Sequence, residues 1–213
     1  LATSKELHYF DHFIDEEFSQ IALDTYKKAF SSPKGILNGE VSTTYLTSPA
    51  CLEILARIAP ETKIIVMLRN PIDRTLSHIN HVVQNRGRRF SLEGSDAHLF
   101  KIYSVFPEAN LLSLYGLALK RLFRLFDKEQ ILILQYESCK QDVLKEIHRT
   151  YDFLGVDSTF VPPSINKEIN KQPYVFNKEN NVHREFLRKY FIDDVNLLKS
   201  VYPELDYSLW PDF

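Results

Sequence analysis

Cysteine is nearly absent from the 213 residues: only Cys51 and Cys139 occur, far apart and without C-x-x-C spacing. That excludes a disulfide framework and a cysteine-built zinc cluster, and it favours a reducing compartment such as the cytoplasm. No apolar run approaches the roughly 20 residues needed to span a bilayer. The opening LATSKELHYFDH lacks the charged-then-apolar order of a secretory signal. Neither sign of charge is in excess, since 26 Lys and Arg face 28 Asp and Glu for a formal net charge of -2. The chain as a whole therefore does not advertise itself as a nucleic-acid or membrane-surface binder, and any basic site must be local. Internal repeats and low-complexity tracts are missing. An initiator methionine is missing too, and the expectation is that a segment lies upstream of Leu1.

What is present is an apolar complement of 44% hydrophobic and 13% aromatic residues. This suffices for one sizeable core, so residues 1–213 are read as a single domain. Short apolar runs at 35–42, 63–69 and 130–137 read as strands. Between and beyond them, residues 16–30, 49–59, 71–85, 110–126, 139–155 and 181–202 carry apolar stripes at helical spacing. Continuous runs at 64–68 and 131–134 suit parallel strands buried on both faces. The alternation predicts an α/β fold with a parallel central sheet flanked by helices. Two long polar connections, 86–98 and 161–181, are candidates for function.

The stretch KIIVMLRNPIDRTLSH, residues 63–78, carries the first functional signal. Asn70 is a good N-cap and Pro71 suits the first helical position, so Arg69 sits where a buried strand ends and a helix begins. In open α/β sheets ligands bind at that edge, and the helix N-terminus favours an anion. Ser77 lies about 9 Å further along the helix axis, too far in to cap it. Arg74, Ser77, His78 and His81 form the polar side of the helix, opposite Ile72, Leu76, Ile79 and Val83. A hydroxyl facing the same crevice as Arg69 would add a second contact to one phosphate. The pattern is equally compatible with Arg69 paired to a carboxylate and Ser77 solvated.

IIVMLRNPIDRTLSH also resembles an element of sulfotransferases that use 3'-phosphoadenylyl sulfate (PAPS), in which the arginine and serine hold the 3'-phosphate. Three more stretches agree in order. KELHYFDH (5–12) resembles the glutamate, histidine, aromatic, aspartate segment of heparan-sulfate-type members. GEVSTTYLTSP (39–49) is similar to their E-K-[ST]-P-x-Y-[FL] segment. Residues 111–142 look like their S-x-Y helix with the following strand and Tyr-Glu pair. The resemblance implies the three-layer, P-loop-NTPase-like sulfotransferase fold, with PAPS as donor, 3',5'-ADP as product and no metal. It implies Glu6 as general base on the acceptor hydroxyl, with His8 as a second catalytic residue and Asp11 lining the acceptor side. Arg69 and Ser77 become cofactor-binding residues, joined by Lys171 and Gln172 in the NKEINKQPY loop. The implied partner is a hydroxyl-bearing acceptor, a carbohydrate above all. For a eukaryotic chain the resemblance makes the Golgi lumen the alternative location.

Two departures from the family pattern shape these expectations. Its glycine-rich phosphosulfate loop with a lysine should precede Glu6, so the first strand-loop-helix unit is expected upstream of this chain. Val41 stands where glycan-type members often carry a lysine, which leaves open a hydroxyacyl chain on a carrier protein or another small-molecule acceptor. A kinase-like enzyme of the same architecture and a non-catalytic nucleotide-binding domain are the rival readings. His8 with His12, and His78 with His81, have spacings that suit zinc, but neither pair has a third ligand nearby in sequence. Ser113 and Tyr115 are read either as facing the nucleotide or as helix packing. RGRRF (86–90) is read either as a solvated face or as a patch for an acidic acceptor.

Overall fold

The apolar runs at 63–69 and 130–137 become strands in the computed structural model, which describes residues 6–13, 18–30, 32–33, 35–85, 103–165, 167, 173–174 and 177–213. Strand β1 (Ile64–Leu68) pairs in parallel with β2 (Ile131–Gln135), in register from Ile64 against Ile131 to Leu68 against Gln135. The expected α/β pattern holds. Successive strand side chains point to opposite faces. In β1, Val66 and Leu68 are buried, whereas Ile65 and Met67 are exposed. The expectation of two buried faces is therefore met on one face of β1 only.

The helices are α1 (Gln20–Lys27), α2 (Pro49–Ile58), α3 (Pro71–Asn85), α4 (Pro107–Leu111), α5 (Tyr115–Leu125), α6 (Tyr136–Gln141), α7 (Val143–Leu154) and α8 (Asn181–Val201). Most start on side-chain caps that satisfy N–H groups left free in the first turn. Ser48 accepts from the Cys51 N–H, Asn180 from the Val182 N–H and Asp142 from the Lys145 N–H. Gly155 ends α7 in the left-handed region at φ 75°, where its N–H reaches the Tyr151 and Asp152 carbonyls.

Three expectations need correction. Residues 35–42 form no strand: Gly35 turns left-handed, the Ile36 N–H bonds the Pro33 carbonyl, and Ile36, Leu37 and Val41 are all exposed rather than alternately buried. The helix expected over 110–126 is two helices. Asp194 accepts from the Gly116 and Leu117 N–H groups at 2.8 and 3.1 Å and so creates a fresh N-terminus at α5. Residues 139–155 are likewise split, because Asp142 leaves the helical path and caps α7.

Two compact units arise, from the described parts of 1–62 with 118–130 and of 63–117 with 131–213. In the first, Phe10, Cys51 and Ile54 are buried among Tyr9, Phe13, Phe18, Tyr26 and Tyr45. The second has a core of Ile72, Leu76, Ile79 and Val83 from α3, Phe106 and Ala109 at α4, and Leu187, Phe191 and Val195 from α8. This core holds the polar side of α3 in place. Phe191 has no exposed surface. Phe191→Ala is expected to lower the unfolding free energy by about 3–5 kcal/mol, measured by urea denaturation; a loss below about 1 kcal/mol contradicts the core assignment.

Candidate functional site

Local chemistry fixes the strand-to-helix junction at Arg69. Asn70 is buried, and its Oδ1 accepts from the Ile72 and Asp73 N–H groups at 2.9 and 3.3 Å, which starts α3. Its own N–H donates to Glu137 Oε1 at 2.8 Å, and its Nδ2 donates to Asp212 Oδ2 at 2.8 Å. The second oxygen of Glu137 accepts from the Trp210 indole N–H at 3.0 Å. Arg184 ties Asp212 to Asp73. Burial works against the Arg184 charge, but its hydrogen bonds to Asp212 and Asp73 outweigh that and hold its pKa above the ordinary value. The Asn70 N–H, Oδ1 and Nδ2 thus all have partners, as a buried network requires.

On this frame Arg69, Arg74, Ser77, His78, Asn80, His81 and Tyr174 line one crevice of about 290 Å³. The guanidinium of Arg69 lies 4.8 Å from the centre of the Tyr136 ring, a cation–π contact that holds it without neutralising it. Arg74 donates to the Ala109 carbonyl at 2.9 Å. Burial, and also the nearby Arg69, pushes the Arg74 pKa down, while Tyr115 acts in the opposite sense. Among the described residues neither guanidinium forms an ion pair with a carboxylate. Two like charges in a partly desolvated crevice repel, and an anion relieves both. His78 is held below its ordinary value of 6.5, first by burial and then by Arg74. Tyr174 is placed from the other side of the chain, since Asn80 and Gln84 of α3 both donate to the carbonyl of Pro173.

A second cluster forms in the other unit, around the only non-glycine residues with positive φ among those described. These are Glu6 at 58° and His8 at 50°. L-residues avoid this region, and where they hold it the surroundings compel them. His8 Nδ1 lies 2.8 Å from Asp11 Oδ2 and 3.1 Å from Thr44 Oγ1, while its Nε2 lies 3.5 Å from Glu6 Oε2. The Thr44 hydroxyl donates to Asp11 Oδ2 at 2.6 Å, and the Cys51 thiol donates to Asp11 Oδ1 at 3.4 Å. Asp11 raises the His8 pKa most; burial opposes it and Glu6 adds to it. The result is an imidazole strung between two carboxylates, able to orient Glu6 and to steady its charge.

The structure therefore brings Arg69 together with Ser77, and Glu6 with His8 and Asp11. Lys171, Gln172 and the RGRRF stretch lie outside the described residues. Ser113 and Tyr115 turn inward. Ser113 bonds Thr75 and the Ala109 carbonyl, and the buried Tyr115 ring packs near Trp210. Sequence reasoning put Arg74 and His78 on the polar side of α3 without assigning them a role; their spacing from Ser77 was the available signal. Among the described residues no group of three or more His, Cys, Asp or Glu side chains is placed to hold a metal ion. No helix among them is long and apolar enough to cross a membrane.

Residues 42–191 match the family described as "Sulfotransferase domain". The chain belongs to the sulfotransferase domain family. Within the matched span lie the whole α3 crevice and both Ser42 and Thr44; Glu6, His8 and Asp11 precede it. Among solved structures, the crystal structure of a sulfotransferase from Alicyclobacillus acidocaldarius is similar, with a TM-score of 0.74 and 26% identity. The likeness covers 99% of this chain and 87% of that one. This sulfotransferase-family chain thus shares the α/β fold of a bacterial relative over nearly its full described course.

The two imidazoles should titrate in opposite directions from the ordinary 6.5. His78, depressed in the folded state, contributes stability that is complete above 6.5 and is lost as pH falls through its folded pKa. His8, raised, contributes stability that is complete below 6.5 and is lost as pH rises through its folded pKa. Proton NMR titration of the ring signals is expected to place the His78 midpoint below that of His8, and Asp11→Asn is expected to lower the His8 midpoint. A His78 midpoint above 6.5 in the free protein contradicts the burial argument.

Proposed function

We propose that this chain catalyses transfer of a sulfuryl group from PAPS to a hydroxyl of an acceptor, with a carbohydrate as the first acceptor class to test. The observation that carries the reading is the convergence of Arg69, Arg74 and Ser77 on one crevice with no carboxylate ion-paired to either guanidinium among the described residues. Two guanidinium groups and a hydroxyl form a donor set suited to a dianionic phosphate, so the residues present fit the family's donor. When bound, that donor supplies an activated sulfur and, on transfer, leaves as 3',5'-ADP.

The chain's own residues do the rest. In this reading Arg69 and Ser77 hold the 3'-phosphate, with Arg74 adding positive charge. Glu6 accepts the proton that the acceptor hydroxyl loses as its oxygen bonds to sulfur. His8, the second residue the resemblance assigns to catalysis, orients that carboxylate through its contact with Glu6, and Asp11 fixes the imidazole while lining the acceptor side. Val41 leaves a hydroxyacyl or other small-molecule acceptor as the next class to test. Cys51 and Cys139 are both free thiols, which supports a cytoplasmic location.

Calorimetry and radiolabel transfer test the reading together. The unaltered chain is expected to bind 3',5'-ADP without added metal and to move label from PAPS to members of an alcohol panel. Arg69→Ala should weaken 3',5'-ADP binding by about 1.5–3 kcal/mol, the range for a hydrogen bond to a charged group. Glu6→Gln should keep that affinity and lower turnover by about 10²- to 10⁴-fold. Equal 3',5'-ADP affinity in the unaltered and Arg69→Ala chains removes the crevice from consideration, and dependence on magnesium with ATP favours a kinase-like enzyme instead.

A further inference from the structure

Resting on the sulfotransfer reading, we infer that Glu40 is a positioning residue for the Glu6–His8 cluster, acting through the hydroxyls of Ser42 and Tyr45 on the main chain that carries it. Glu40 acts on this cluster at one remove. Its carboxylate instead gathers three hydroxyls: Tyr26 at 2.6 Å on Oε1, and Ser42 at 3.3 Å and Tyr45 at 3.5 Å on Oε2. Two of these hydroxyls do a second job. Ser42 Oγ accepts from the His8 N–H at 3.1 Å, and Tyr45 Oη accepts from the Phe10 N–H at 3.2 Å.

Donor and acceptor chemistry fixes the direction of every bond in this array. A main-chain N–H only donates, and an ionised carboxylate only accepts. Each hydroxyl has one proton, which goes to Glu40, so its oxygen lone pairs are left facing the 8–10 main chain. Neutral phenols suit that role, and burial pushes the Tyr45 hydroxyl up to about 12. One carboxylate thereby sets the polarity of two hydroxyls, and these hold alternate N–H groups of the segment.

That segment needs holding. Glu6 and His8 both sit at positive φ, a conformation their own side chains disfavour. Phe10 anchors its far end, fully buried with its ring 4.7 Å from that of Tyr26 and 5.2 Å from that of Tyr45. The aromatic contacts fix position, and the two hydrogen bonds fix the peptide orientation that turns His8 toward both Glu6 and Asp11. In Glu40→Gln one carboxylate oxygen becomes an amide NH₂ that donates. If that group replaces Oε2 it competes with the His8 and Phe10 N–H groups for the same hydroxyl oxygens.

The test uses the full chain and the variants Glu40→Gln, Ser42→Ala and Tyr45→Phe. NMR amide exchange at His8 and Phe10 is read beside kcat for sulfuryl transfer and affinity for 3',5'-ADP. Glu40→Gln is expected to speed exchange at both amides by about tenfold and to lower kcat by about 100-fold, the scale of a small misplacement of a reacting group, with 3',5'-ADP affinity unchanged. Ser42→Ala should act at the His8 amide and Tyr45→Phe at Phe10, and adding Ser42→Ala to Glu40→Gln should cost little more. If Glu40→Gln does not fold, the two hydroxyl variants read the same links. Unchanged exchange at both amides, or kcat losses that simply multiply, overturns the role of Glu40. Absence of transfer by the unaltered chain overturns the sulfotransfer reading, while the amide pattern still decides the positioning role.

Discussion

A single buried amide, Asn70, makes the α3 crevice possible. Its side-chain oxygen starts the helix, its main-chain N–H is taken by Glu137, and its side-chain nitrogen is taken by Asp212. Remove any of these partners and a polar group is left buried without compensation, which costs more than the bond itself contributes. Because all are present, the chain leaves β1 and enters α3 along one path, and Arg69 is delivered at the bend. The cation–π contact with Tyr136 then keeps its charge available.

The two clusters solve opposite electrostatic problems. At α3 the charges are alike, and burial of Arg74 and His78 makes the crevice intolerant of further protons. Around His8 the charges alternate, with carboxylates on either side of an imidazole whose protonated form they favour. The first arrangement suits holding an anion, the second suits managing a proton. Both functions appear among the demands of moving an anionic group onto an alcohol.

Much of this was legible in the sequence where the signal is local. The run Ile64–Leu68 followed by Asn70-Pro71 announces a strand and a capped helix start within a few residues, and α3 spans 71–85 as its stripe predicts. Where a distant residue decides, local reading fails. Nothing within residues 110–126 announces that Asp194, 78 positions after Gly116, will cap a new helix there. Residues 35–42 look strand-like by composition, yet a left-handed Gly35 and exposed apolar side chains make them irregular. The strain at Glu6 and His8 left no trace in residue identity, because neither is glycine. Glu40, Ser42 and Tyr45 were visible only as a resemblance, and their physical purpose emerges from the hydrogen bonds.

The Asn70–Asp212 contact spans 142 positions. A closure of that span comes late, since distant pairings are reached only after much of the intervening chain has already collapsed. During synthesis the guanidinium at the bend therefore emerges long before its scaffold is finished. The crevice at that bend should therefore take its final shape abruptly, once Asp212 has joined Asn70, rather than by degrees.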